Sequence, residues 1–308
     1  MPCFCPLKGW LSQKRTSNGK RSVVFNLRDG LSDRPVTIPC GQCIGCRLER
    51  SRQWAIRCLH ESTLYKRNCF ITLTYDDEHL PSDMSLNVSH FQKFMKRLRK
   101  RYGKGVRYFH CGEYGEIGSR PHYHACLFNF DFKDRKLWSV RESVRLYTSE
   151  ELSSLWENGF STVGDVTFES AAYVARYVMK KITGDAADAH YEHVDLDTGV
   201  VSYRTPEYVT MSRRPGIGRG WYDKFKDDVY NYDFVVVNGK KCRAPRYYDG
   251  CFEAEHPSSG LWQNSDMRKL KSDRVKKAKV HACDNFDDRL LVRDEVARER
   301  IKFLKRTL

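Results

Sequence analysis

No run of about eighteen apolar residues occurs anywhere in the sequence, so no membrane-spanning helix is expected. The opening residues, MPCFCPLKGW, lack the basic segment followed by an apolar segment that marks a secretory signal. G-x-x-x-x-G-K-S/T is absent, which argues against an ATPase or helicase within the chain. Internal repeats and long low-complexity segments are also missing. Acidic residues are the scarce charge: 39 Asp and Glu stand against 54 Lys and Arg, leaving a net charge of +15. Such an imbalance suits a polyanionic partner, because each phosphate neutralised releases counterions. Forty per cent of the 308 residues are hydrophobic, enough to exclude wholesale disorder.

Cysteine, by contrast, is plentiful at twelve residues. Without an export signal these are expected as unpaired thiols in a reducing compartment. Cys69, Cys111 and Cys126 sit in apolar segments and read as small buried hydrophobes. Cys40, Cys43 and Cys46 are different, since C-x2-C-x2-C brings three thiolates close enough to suggest a structural Zn2+ site. Cys3, Cys5 and Cys58 are all open as a fourth ligand, and free thiols at a helix start are the alternative.

Periodicity predicts an α+β chain. A helix begins near Cys46, CFITLTY reads as a strand, and NVSHFQKFMKRLRKRYG reads as a basic amphipathic helix with Phe91, Phe94, Met95 and Leu98 inward. VRYFHCGEY and PHYHACLFNF read as paired strands. Further on come a helix near TSEELSSLWENG, a strand FSTVGDVTF and a helix ESAAYVARYVMKKITG. Beyond Pro206 the chain reads as loop-rich, and a basic tail closes on the helical DDRLLVRDEVARERIKFLKR. The expected division is a Cys-rich N-terminal segment with its helix (1–60), a core (61–235) and a basic C-terminal extension (236–308).

Within PHYHACLF, strand alternation puts His122, His124, Cys126 and Phe128 on one face, and Tyr123, Ala125 and Leu127 on the other. Two imidazoles on one face can share a metal ion. If the preceding strand pairs antiparallel, Glu113 falls opposite one of them as a third ligand, with Glu116 as a fallback. Two half-buried histidines would give the same pattern without a metal. On a helical wheel Ala171, Val174, Ala175, Val178 and Ile182 form one stripe, and Tyr173, Arg176, Tyr177 and Lys180 the other. Tyrosine oxygen can attack a phosphodiester, and a neighbouring cation favours the phenolate. Arg213, Arg214, Arg219 and Trp221 in SRRPGIGRGWYDK combine charge with an aromatic ring that suits single-stranded DNA; an ordinary solvated loop is the bland alternative.

Three motifs in order, FITLT, RPHYHACLF and YVARYVMKK, resemble those of the HUH endonucleases. PCGQCIGCRLERSRQWAIR, HCGEYGEIGSRPHYHACLF and MSRRPGIGRGWY further resemble the replication initiators of gokushovirus-type microviruses, over roughly residues 40–222. The resemblance implies a central antiparallel sheet flanked by helices, His122 and His124 as ligands of Mg2+ or Mn2+, and Tyr173 and Tyr177 as nucleophiles beside Lys180. It implies nicking of single-stranded or supercoiled origin DNA, a 5′-phosphotyrosyl link, and rejoining that releases circles. A host helicase and DNA polymerase would be partners, in the cytoplasm of a bacterial host. Two rival functions remain open at this point: an HUH relaxase or transposase, and a non-catalytic nucleic-acid-binding protein with a zinc module.

Overall fold

A computed structural model describes residues 3–17, 19, 21–115, 118–141, 144–177, 186–194, 199–255, 265–280 and 286–302. The chain begins with β1 (Leu7–Arg15), β2 (Arg21–Val24), β3 (Gly30–Ile38) and α1 (Ile44–Ser62). Then follow β4 (Asn68–Thr74), α2 (Val88–Tyr102), β5 (Arg107–Tyr114), β6 (Pro121–Phe128), β7 (Lys136–Arg141), β8 (Val144–Thr148), α3 (Glu150–Leu155), β9 (Ser161–Gly164) and α4 (Phe168–Tyr177). After these come α5 (Ala186–Tyr191), β10 (Glu192–Val194), β11 (Val201–Tyr203), β12 (Tyr208–Met211), α6 (Arg219–Tyr232), β13 (Val235–Val237), β14 (Lys240–Cys242), α7 (Arg246–Glu255), α8 (Ser265–Val280) and α9 (Asp287–Lys302).

Two compact units emerge, one made of Met1–Arg50 with Ser258–Thr307, the other of Ser51–Pro257 with the last residue. The first carries a three-stranded sheet in the order β2-β1-β3. That sheet was not foreseen from the cysteine-, proline- and glycine-rich sequence.

In the second unit a seven-stranded antiparallel sheet runs β12-β5-β6-β4-β9-β8-β7. Alternation along β4, β5 and β6 gives the sheet two apolar faces, each needing a cover. α2 and α3 cover one. Asn87 caps α2 by accepting from the Ser89 amide, and Phe91, Phe94, Met95 and Leu98 are buried on Ile71, Leu73, Tyr123 and Leu127. Gly103 ends the helix at a φ of 96°, a backbone angle that favours glycine. The opposite face packs Phe70, Phe109, Cys111, Cys126 and Phe128 under Ala55 and Cys58 of α1 and Ala171, Tyr173, Val174 and Ala175 of α4.

The segment after Pro206 is more ordered than its composition suggests. β12 pairs with β5, matching Tyr208 with Gly112 and Met211 with Phe109, and so closes one edge of the site-bearing strands. α6, α7, β13 and β14 then build a third apolar cluster on Ile56, Tyr222, Val229 and Tyr248. The β7–β8 hairpin is a second element the sequence pattern did not reveal.

Candidate active site

The site forms where three strands place polar groups on the α1/α4 face. The register between β5 and β6 pairs Glu113 with His122 and Cys111 with His124, and that between β4 and β6 pairs Thr72 with His124 and Thr74 with His122. Residues directly opposite share a face, so His122, His124, Glu113, Thr72 and Thr74 project together. The expected placement of Glu113 opposite the histidine strand is therefore present.

His124 and Glu113 are both buried, and His124 Nε2 lies 2.7 Å from Glu113 Oε1. The carboxylate can only accept, so with a single ring proton Nε2 donates to it, and Nδ1 accepts from the Thr72 hydroxyl at 3.0 Å. His122 donates Nδ1–H to the Arg120 carbonyl at 2.6 Å, which leaves Nε2 as its lone-pair nitrogen. Burial lowers the His122 pKa from its ordinary value; the Arg120 carbonyl opposes that shift. The two imidazoles are nearly parallel, with centroids 6.5 Å apart. Arg120 also donates to the Tyr75 carbonyl and pairs with Asp77, which fixes the turn ahead of β6.

Two imidazoles and a carboxylate are donor types that suit a first-row divalent cation, although among the described residues only the Cys3, Cys40, Cys43 and Cys46 sulfurs are gathered closely enough to hold a metal as they stand. A cation at His124 Nε2 requires the ring proton to move to Nδ1, where the Thr72 oxygen can accept it. Neither Thr72 nor the Arg120 carbonyl was singled out from the sequence. Thr72 was legible in principle, since it alternates with Phe70 and Thr74 in FITLT on the face that meets the histidines.

α4 lies across β5 and β6, and this corrects the helical-wheel expectation for Tyr173. Tyr173 is buried at 7% exposure rather than set apart from the core stripe. Its ring meets His124 edge to face at 5.1 Å and Phe70 at 6.4 Å, and the Arg176 guanidinium carbon sits 5.7 Å from its centroid. The face that α4 covers is the histidine face itself, so burial and proximity to the site coincide. Tyr177 is the last residue of α4. Its side chain, with Glu116, Val178, Lys180 and Ile182, lies outside the described residues.

Residues 68–182 match the family model of replication-associated protein ORF2/G2P. Replication-associated protein VP4 of Bdellovibrio phage phiMH2K is 37% identical over 261 residues, covering 81% of this chain and 78% of the relative. Replication-associated protein ORF2 of Spiroplasma virus 4 is 34% identical over 262 residues, covering 78% and 74%. The chain belongs to the microvirus replication-associated proteins. Replication-associated protein ORF4 of Chlamydia phage 1 is 31% identical over 221 residues, covering 68% of this chain and 52% of the relative. No solved structure matches at a significant level.

In this replication-associated protein the cysteine motif completes itself within the first unit. Cys3 joins Cys40, Cys43 and Cys46, and the four sulfurs lie within 4.8 Å of one another. Cys3 is thus the fourth member; Cys5 is exposed, and Cys58 is buried in the second unit's core. Four sulfurs about 2.3 Å from a tetrahedral zinc ion would stand roughly 3.8 Å apart. Cys3 lies 3.8 Å from Cys40 and 3.9 Å from Cys43. Burial alone would raise the Cys43 thiol, but backbone N–H groups, chiefly that of Phe4, bring it down to about 7. The cluster could hold a metal such as zinc.

The arginine- and glycine-rich segment is tied down rather than loose. Arg57 lies between the Trp54 and Tyr247 rings, 3.9 Å from each centroid, and donates to the Ile217 carbonyl. Glu61 accepts from the Gly218 amide at 2.7 Å and pairs with Arg107. At Gly218 φ is 81°, and a Cβ there would stand 2.7 Å from the Tyr248 hydroxyl. Trp221 stacks on His60 at 3.5 Å and faces Tyr248, while Arg219 pairs with Asp223 and Glu255. Arg213 and Arg214 are exposed. The segment therefore presents two arginines outward, holds the third in ion pairs and stacks the tryptophan on His60.

Proposed function

We propose that this chain initiates rolling-circle replication as an HUH-type nickase, cutting the viral strand of circular phage DNA at its origin and later rejoining it. The observation that carries the reading is Tyr173 packed edge-on against His124, itself hydrogen-bonded to Glu113, on one face of the sheet. Membership of the replication-associated proteins and the net charge of +15 support a DNA substrate.

A tyrosine oxygen of α4, Tyr173 or Tyr177, attacks the scissile phosphorus as phenolate. The bond from phosphorus to the 3′ oxygen breaks, and that oxygen leaves, taking a proton to become a free 3′-OH for the host polymerase. The 5′ phosphate stays on the tyrosine. Arg176, and Lys180 further along the motif, favour the phenolate and offset phosphate charge. His122, His124 and Glu113 would hold Mg2+ or Mn2+, whose positive charge polarises the phosphate. Rejoining is the reverse displacement: a 3′-OH attacks the phosphotyrosine and releases it. Two tyrosines allow one to hold a DNA end while the other attacks. Strand opening would fall to a host helicase or a supercoiled origin.

Purified protein incubated with Mn2+ and single-stranded genome fragments is expected to give a protein–DNA adduct on denaturing gels. Mass spectrometry should map it to Tyr173 or Tyr177, and the Tyr173→Phe/Tyr177→Phe double variant should form none. Adducts that persist in the double variant, or their absence with every divalent cation while DNA binding is intact, would overturn the reading. The second result would favour a non-catalytic binder.

A further inference from the structure

Phe160 stands just ahead of β9, and its carbonyl accepts from the Thr74 amide at 2.9 Å. β9 pairs with β4 so that Thr162 lies opposite Thr72; one step further along that register, Phe160 lies opposite Thr74. Thr74 in turn is opposite His122, and His122 is opposite Glu113. Phe160, Thr74, His122 and Glu113 therefore make one row across four strands, on one face of the sheet. At a strand spacing of about 4.8 Å, Phe160 is roughly 10 Å from His122 along that row.

Aromatic side chains on the catalytic face normally go into the core, as Phe70 and Phe109 do. Phe160 does not: it is 47% exposed, and Trp138 of β7, 52% exposed, meets it with ring centroids 5.2 Å apart. Both rings keep an open surface beside the histidine row. In the acidic turn next to them Asp76 accepts from the His79 backbone and ring N–H groups, and Asp77 pairs with Arg120. Arg145 of the same hairpin is exposed. Large exposed aromatic rings in a strongly basic chain, continuous with a phosphate-directed site, match the combination that holds unpaired bases.

We infer that Trp138 and Phe160 form a stacking platform for unpaired bases of the single-stranded DNA that flanks the scissile phosphate. The inference rests on the nicking reading for the position of that phosphate. It gives the protein the aromatic platform that Trp221, packed on His60, was expected to supply. At a stacked spacing of about 3.4 Å per nucleotide, the platform engages a base within about three nucleotides of the cut.

The test uses the full chain without divalent cation, so that binding is read apart from cleavage. A fluorescent single-stranded oligonucleotide reports affinity by anisotropy, and a bromodeoxyuridine-substituted version is photo-cross-linked and mapped by mass spectrometry. Cross-links at Trp138 or Phe160 are expected, with affinity about 5- to 100-fold weaker in Trp138→Ala/Phe160→Ala and largely kept in Trp138→Phe. Unchanged affinity in the double variant with cross-links elsewhere would overturn the inference. So would unchanged affinity with a lower molar mass in solution, which would assign the aromatic pair to contact with a second copy of the chain. Cross-links at the platform in a protein that forms no tyrosine adduct would keep base stacking and remove the nicking reading alone.

Discussion

The two faces of the seven-stranded sheet are made by the same strands, yet they handle histidine in opposite ways. On the α2/α3 face His110 lies flat on Phe91, with centroids 3.4 Å apart, among Tyr123 and Tyr208. Its Nδ1 meets the Thr210 hydroxyl, and its Nε2 is buried with no hydrogen-bond partner among the described residues. Burial pushes its pKa far below the ordinary value, so it stays a neutral, largely apolar ring. On the other face His124 meets a carboxylate, a hydroxyl and a tyrosine ring. Chemistry on this sheet is decided by the partners alternation supplies, and not by the presence of an imidazole.

The comparison sharpens most where one face is emptied. Phe94 is fully buried under α2, and Phe94→Ala is expected to cost about 3–5 kcal/mol of stability in a urea titration. Loss of less than about 1 kcal/mol would mean that this face is not the main apolar core. His124→Ala, on the other face, is expected to cut adduct formation by about 10²–10³-fold with the fold retained. His110→Leu is its control. It should leave adduct formation unchanged and shift stability by less than about 1.5 kcal/mol. Equal loss of adduct in both variants would erase the distinction between the faces.

Another test concerns a histidine outside both faces. His60 is buried against Trp221 and Tyr248, and burial brings its pKa down to about 3. Below about pH 6.5 the unfolded chain takes up a proton that the folded His60 refuses. Stability is therefore fully present above that pH and is lost as pH falls toward about 3, by up to about 1.4 kcal/mol per pH unit. His60→Phe should flatten the stability profile between about pH 6.5 and pH 5. Identical profiles for the two proteins would refute the assignment.

Much of the candidate site was legible because it depends on short-range periodicity. H-x-H in a strand fixes a common face, and an antiparallel return in the right register puts Glu113 opposite, so the row of His122, His124 and Glu113 could be read from spacing once that pairing was assumed. The cap at Asn87 and the inward positions of α2 were equally local. What failed depended on tertiary placement. The helical wheel assigned Tyr173 to the stripe opposite the core, because a wheel assumes one buried side, whereas α4 is covered where it crosses the histidine strands. SRRPGIGRGWYDK read as a loop, DNA-facing or merely solvated, because its glycines and arginines are loop-like in composition. Their anchors, Arg57, Glu61 and Tyr248, are remote in sequence. The N-terminal sheet and the β7–β8 hairpin were hidden by interrupted apolar patterns. The choice of Cys3 over Cys5 as the fourth thiol needed the fold, since the two differ by two positions in the chain.

The pairing of β12 with β5 has a consequence for how the protein is made. Glu113 sits on a strand whose outer neighbour, Tyr208–Met211, is encoded roughly a hundred residues later. At about 5–20 residues per second, the growing chain carries that edge unpaired for about 5–20 s after β5 emerges from the ribosome. An open edge is a template for other strands, and β5 is the strand that brings the carboxylate to the histidines. Chains that terminate before β12 would keep the histidine pair and Tyr173 but leave the edge of the Glu113 strand open to other strands.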